Sequence, residues 1–125
     1  MGKAAAAAKR IASGSEERLA LGNIDVVRDW GWAPDYVVAM WRMLQLDAPE
    51  DLVLATGRSH RLAEFVEQIF AAHGLDWRDH VEPGEVPPRP GDILTQYADP
   101  SRARDRLGWS AACDLGELAR RLAAG

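Results

Sequence analysis

The sequence predicts a small α/β domain of about five helices with a few short strands. Two segments, Tyr36 to Leu46 and Leu62 to Phe70, repeat apolar residues at a three-to-four spacing, which is the period of a helix with one buried face. Short apolar runs at Leu19 to Ile24 and Leu52 to Ala55 are broken by glycine or stopped by it, as short strands or extended segments are. Between them lie turn residues and helix starts.

At 125 residues the chain is one domain or a piece of one, large enough for a single hydrophobic core. Its composition, 47% hydrophobic and 27% charged, is that of an ordinary globular domain. A net charge of −4 argues against a nucleic-acid binder, which needs a positive field. One cysteine, Cys113, excludes a disulfide framework and suits a reducing, cytoplasmic setting. The Ala4 to Ala8 run is too short to span a membrane and lacks the leucine-rich centre of a signal peptide.

Taken in order, residues 3 to about 13 are dominated by alanine, so a helix is expected, stopped at Gly14. With mainly Ile11 and alanines to bury, it should pack closely against something larger. A helix starting so near the first residue with no cap reads as a chain cut upstream. Leu19 to Ile24 reads as a strand or extended loop, and Val26 to Trp30 as an extended segment carrying Arg28 to one side. Ala33 or Pro34 opens the strongest helix, with proline tolerated in the first turn and Asp35 at the positive end. Asp47 to Glu50 ends it, and Leu52 to Ala55 reads as a buried strand before Gly57.

Ser59 is a candidate cap for a second strong helix from about His60 to His73, ended by Gly74. Trp77 and Val81 suggest a short extended stretch. Pro83 to Pro90 holds four prolines and reads as a loop. Asp92 to Ala98 is a candidate strand. Asp99 and Pro100 should start a short helix that closes at Gly108, and Asp114 should cap a last one.

Few residues offer chemistry. An arginine fork gives a phosphate two parallel, charge-assisted hydrogen bonds, so Arg28 and Arg89, from distant loops, could clamp a diphosphate. Asp92, three residues after Arg89, could accept from a ribose hydroxyl. On spacing alone each is as readily a surface ion pair. His60, His73 and His80 share no helix face at metal-ligand spacing. Ser59 and Ser101 look like caps rather than nucleophiles, and Glu64 and Glu67 like a solvated face. Cys113 precedes a helix start, which could lower its pKa, though a buried, inert thiol is the plainer reading. The five tryptophans, Trp30, Trp32, Trp41, Trp77 and Trp109, are mostly core candidates, with Trp30 or Trp32 alternatively lining a pocket.

Several stretches together carry a resemblance. Leu21-Gly22-Asn23-Ile24-Asp25, Arg28-Asp29-Trp30-Gly31, Ala33-Pro34-Asp35-Tyr36-Val37 with Ala39-Met40-Trp41, Ala55-Thr56-Gly57, Glu64-Phe65-Val66 and Gly74-Leu75-Asp76-Trp77 resemble the GDP-mannose 4,6-dehydratases. These belong to the extended short-chain dehydrogenase/reductase superfamily. The resemblance covers only the family's C-terminal part, so it implies a nucleotide-sugar-binding domain over residues 1–125 with the Rossmann domain missing. It implies that Lys3 and Arg28 contact the diphosphate and that Leu19 meets the guanine end, largely through its backbone. It also makes Arg89 a second substrate arginine and places Asp92 where the family usually has a ribose-binding glutamate.

The segment Arg89-Pro90-Gly91-Asp92-Ile93 with Tyr97-Ala98-Asp99-Pro100-Ser101 is closer to UDP-glucose 4-epimerase, which keeps a UDP-hexose open as the ligand. The family's enzymes use NADP, but its glycine-rich dinucleotide motif and Tyr-x-x-x-Lys pair have no counterpart here. Tyr36 and Tyr97 lack a lysine four residues on. The resemblance therefore implies no cofactor for this chain alone, no catalytic residue, and inactivity by itself. The expected partners are GDP-mannose, a separate dinucleotide-binding chain, or a second copy through an uncovered apolar face. A non-catalytic nucleotide-sugar-binding protein is the remaining alternative.

Overall fold

A computed structural model describes residues 2–84 and 90–125; Arg89, the expected second arginine, lies outside them. The elements run α1 (Gly2–Ala12), β1 (Leu19–Leu21), β2 (Val27–Asp29), α2 (Ala33–Met43), β3 (Ser59–Arg61), α3 (Leu62–Ala71), a 3-10 turn (Trp77–Asp79), β4 (Val81–Pro83), α4 (Ser101–Leu107) and α5 (Leu115–Ala124). Five helices and four three-residue strands among the described residues agree with the α/β expectation.

The main core forms where α1, α3 and α5 meet. From α3 come Phe65, Val66, Ile69 and Phe70, all fully buried. Each aromatic or branched side chain removed from water contributes about 1.5–3 kcal/mol. Against them lie Leu118 and Ala119 of α5 and Ala4, Ala5, Ala7, Ala8 and Ile11 of α1. The alanines explain the close packing: with only a methyl group at four positions, α1 can lie near its neighbours without leaving voids. Leu19 and Val81 close the core from β1 and β4, which pair in parallel with Leu19 opposite Val81. A smaller second cluster packs Ala39 of α2 against Ala103 and Trp109, with Tyr36, Leu52, Leu54 and Leu107 around it.

Helix ends follow the sequence in several places. Asp114 caps α5 by accepting from Glu117 N at 2.8 Å, and Gly108 ends α4 at φ 59°, the left-handed region that glycine enters without strain. Asp99 accepts from Ser101 N at 2.9 Å at the start of α4.

Other expectations are corrected. Ser59 is not a cap: it sits in β3, paired antiparallel with β2 (Asp29 opposite Ser59), and its hydroxyl donates to Gln96 O at 3.1 Å. The first amides of α3 are met instead by backbone, Leu62 N donating to Val26 O and Ala63 N to Ile24 O, both at 2.9 Å. Carbonyls of a distant loop do what a local side chain was expected to do.

Leu52 to Ala55 joins no ladder among the described residues. Leu52 and Leu54 rest on the second cluster while Val53 stays 55% exposed. The adjacent β2 has no edge to offer it, since β3 takes one edge and residues 94–96 run along the other, with Val27 N donating to Leu94 O and Gln96 N to Val27 O. That contact, a single parallel bridge between Val27 and Thr95, is all that remains of the strand expected over Asp92 to Ala98. Trp77 lies in the 3-10 turn rather than an extended stretch.

Helix α2 ends at Met43, short of Leu46, because its last turn tightens into Gln45 N to Arg42 O and Leu46 N to Met43 O bonds. Its apolar face is also not the buried one expected. Only Ala39 is buried, while Val37, Val38, Met40, Trp41 and Leu44 are exposed, so Trp41 is no core residue.

The start of α2 is tied to the segment before α5 through one aspartate. Trp109 Nε1 donates to Asp35 O at 3.0 Å, and the Asp35 carboxylate accepts from Ala112 N at 3.0 Å and Cys113 N at 2.9 Å. Asp35→Ala should leave the amide of buried Cys113 unpaired and lower stability by about 1–3 kcal/mol, read as a lower urea midpoint with an unchanged denaturant slope.

Candidate functional site

The site is organised by β2, whose successive side chains leave on opposite faces. Arg28 turns toward residues 92–94 and Asp29 toward residues 56–57. Between them they fasten three separate parts of the chain.

Arg28 is largely covered, with 23% of its side chain exposed. Its Nη1 donates to Val27 O at 2.8 Å and Leu94 O at 3.3 Å; its Nη2 donates to Ile93 O and lies 3.4 Å from Asp92 Oδ1. Two of the five residues expected at the site, Arg28 and Asp92, are thus brought together across 64 positions of sequence.

Lys3 and Leu19 also come together. The exposed Lys3 ammonium donates to Ala20 O at 3.0 Å, on the strand that begins with Leu19. The Leu19 side chain is in the core and its N–H donates to His80 O at 2.8 Å, so neither is turned outward.

On the other face, the Asp29 carboxylate accepts from Thr56 N at 3.1 Å, Thr56 Oγ1 at 2.8 Å and Gly57 N at 2.8 Å. Gly57 has φ 75°, so the chain turns back sharply there. Next to this latch is a pocket of about 150 Å³ lined by Asp29, Tyr36, Leu54, Ala55, Gln96 and Ala98. The Tyr36 ring lies 5.9 Å from that of Trp109, and burial first, then Asp29 and Asp35, push its phenol pKa up. Gly31 lets this ring approach: a Cβ there would fall 2.0 Å from the Tyr36 hydroxyl and 2.6 Å from Cζ. Two larger, shallow concavities, one beside Trp77 and one between α3 and the start of α5, hold none of the expected site residues.

Asp29, Gly31, Asp35 and Thr56 position the site without having been marked as candidates. The available signal was a second acid beside Arg28 and a Thr-Gly pair 27 residues on. Nothing local to either says that they meet.

The remaining candidates are structural. His60, opposite Arg28 in register, holds its Nδ1 3.0 Å from Glu64 Oε2, and that contact keeps the Glu64 carboxyl below its usual range. Among the described residues no three His, Cys, Asp or Glu side chains gather as a metal site. The Cys113 thiol is buried, and desolvation outweighs Arg121 to raise its pKa, the opposite of an activated cysteine. Trp30 packs on Phe65 at 5.6 Å between ring centroids, and Arg121 lies over Trp32. No helix is long and apolar enough to cross a membrane among the described residues.

Comparison with known proteins gives a consistent result. The family profile described as "GDP-mannose 4,6 dehydratase" matches residues 1–122. The chain is 44% identical over 109 residues to GDP-mannose 4,6 dehydratase 1 of Arabidopsis thaliana, covering 87% of this chain and 30% of that protein. It is 38% identical over 130 residues to human GDP-mannose 4,6 dehydratase, covering 90% of this chain and 35% of that one. It thus spans about a third of the length of these curated relatives.

Among solved structures, RMD from Pseudomonas aeruginosa complexed with NADPH superposes with a TM-score of 0.82 at 20% identity, covering 97% of this chain and 41% of that one. UDP-glucose 4-epimerase from Bifidobacterium longum, in complex with NAD+ and UDP, gives 0.77 at 24% identity, covering 97% and 38%. At these identities the two establish the fold alone.

Gly31→Ala should destabilise the chain by about 1–3 kcal/mol, the usual cost of forcing a methyl into a filled space. Tyr36→Phe on top of it should recover only part of the loss, because the ring carbon remains in the way. Urea unfolding of the single and double variants measures both.

Proposed function

The chain belongs to the GDP-mannose 4,6-dehydratase family, and on that footing we propose that residues 1–125 form the nucleotide-sugar-binding part of such an enzyme. The observation that carries this reading is the meeting of Arg28 with Asp92, the cation and the carboxylate expected for the diphosphate and the ribose. In the proposed complex Arg28 and Arg89 neutralise the diphosphate through charge-assisted bonds. Asp92 accepts from the ribose, Lys3 adds a cation from the edge of β1, and Leu19 stands near the guanine end. GDP-mannose is the proposed ligand.

The reaction proposed for the intact enzyme is oxidation at C4, loss of water across C5–C6 and reduction at C6. NADP would carry the hydride. The described residues do not fit that cofactor. Tyr36 is packed over Gly31 with its phenol pKa raised, and Tyr97 is 78% exposed, so neither is placed as a proton donor beside a nicotinamide. Among the described residues no glycine-rich strand-to-helix turn is present to seat a pyrophosphate. A dinucleotide-binding unit, in the same polypeptide or in a separate one, would supply those groups, and the chain alone would be inactive. The exposed apolar side chains of Val37, Val38, Met40, Trp41 and Leu44 on α2 form the surface proposed to meet it. Apolar patches of this kind mark interaction sites. A cytoplasmic setting follows the single buried thiol.

The epimerase-like segment around Arg89 to Asp92 keeps a UDP-hexose as the second reading. Calorimetry separates them: GDP-mannose should bind more tightly than UDP-glucose, and Arg28→Gln should weaken it by about tenfold or more, the worth of a charged hydrogen bond. Tighter UDP-glucose binding assigns uridine instead, and binding of neither overturns the reading. If α2 is a docking surface, the isolated chain should self-associate as concentration rises; Trp41→Lys should shift light scattering back toward the monomer. A monomer at all concentrations, with no uptake of a hydrophobic dye, would argue against that surface.

A further inference from the structure

Arg28 is the proposed diphosphate ligand, yet both of its terminal nitrogens already have acceptors. An arginine meets a phosphate in a bidentate manner through one of two edges, Nη1 with Nη2 or Nε with Nη2. The Nη2 atom belongs to both. In this structure Nη2 is the atom held by Ile93 O and by the Asp92 carboxylate, while Nη1 serves Val27 O and Leu94 O. A diphosphate therefore competes with the Asp92 carboxylate for Nη2, the nitrogen that both edges share.

We propose that Asp92 is an exchangeable guard on Arg28: it neutralises the guanidinium and is displaced when an anionic diphosphate takes its place. This inference rests on the nucleotide-sugar reading of the site and adds a conformational step to it. The geometry suits exchange rather than a permanent lock. The contact is long at 3.4 Å and the Asp92 side chain is 45% exposed, so the pair is of the weak, water-screened kind. A diphosphate brings more charge and more acceptors than one carboxylate, so it can compete. Once released, Asp92 is free to turn to the ribose, which gives the same residue two successive tasks. Residues 94–96 need not move with it, since Leu94 O and Gln96 N are also bonded to the Val27 backbone; the exchange asks only the Asp92 side chain to turn away, with Ile93 O left on Nη2.

Inorganic pyrophosphate tests this, because it engages Arg28 but has no ribose for Asp92. Its binding to the 125-residue chain is to be measured by calorimetry at low salt for the wild type, Asp92→Asn, Asp92→Ala and Asp25→Asn. Asp25 is a control carboxylate, 75% exposed and 3.9 Å from Arg61, so it reports the general effect of removing one negative charge. Pyrophosphate should bind about two- to fivefold more tightly to both Asp92 variants, the size expected for releasing an exposed ion pair, and unchanged to Asp25→Asn. Unchanged or weaker binding to both Asp92 variants, or equal tightening in Asp25→Asn, overturns the guard.

GDP-mannose is measured alongside. If the wild type binds it while the pyrophosphate pattern fails, the guard is wrong and the nucleotide-sugar reading stands. If pyrophosphate follows the expected pattern but GDP-mannose does not bind, the exchange holds for a simple anion and the nucleotide-sugar reading falls. Thermal unfolding monitored by circular dichroism verifies that the exposed Asp92 substitutions leave the fold in place.

Discussion

The geometry of this domain depends on a strand of three residues that is gripped from both edges. Val27, Arg28 and Asp29 pair with β3 on one side, and the Val27 backbone is bonded to residues 94 and 96 on the other. So short a strand would not hold its register alone. Here the side chains finish the work of the backbone, Arg28 fastening residues 92–94 and Asp29 fastening Thr56 and Gly57. Because adjacent side chains point to opposite faces, a slip of one residue would exchange the cation and the anion and undo both contacts at once. The conjunction of arginine and aspartate is therefore a device for register.

What the sequence discloses is governed by how local the cause is. Asp114, Gly108 and the Asp99 to Ser101 start could be read because each acts within a few residues of itself. Helix α3 could be read because Phe65, Val66, Ile69 and Phe70 repeat on one face. The pairings of residues 94–96 and of β1 with β4 could not, since each joins segments more than sixty positions apart. Ser59 shows how a sound local rule is overridden: it has the chemistry of a cap, but strand pairing holds it, and the carbonyls of Ile24 and Val26 satisfy the helix instead. Asp29 is hidden for the same reason, its partners Thr56 and Gly57 being far along the chain.

Helix α2 offers a different lesson. Its periodicity is real and its apolar residues are numerous, yet most of them face solvent. A hydrophobic pattern records the surface a helix is built to bury; it does not say which unit buries it. Leu52 to Ala55 carries the same message, with two leucines on the second cluster and Val53 turned outward. A helix and the segment after it both carry uncovered apolar side chains, in a chain that spans about a third of its relatives' length.

Two titratable groups of the domain are shifted in the direction opposite to activation. A general acid or nucleophile needs a pKa drawn toward the working pH and an approach to substrate. Here the Tyr36 phenol and the Cys113 thiol are both pushed up by burial, and the Tyr36 ring is wedged over a glycine. An arginine fork can fix an anion in place, and the Nη2 atom of Arg28 is held by Ile93 O and Asp92. β2 thus sets the orientation of one positive charge at the point where three separate parts of the chain are fastened together.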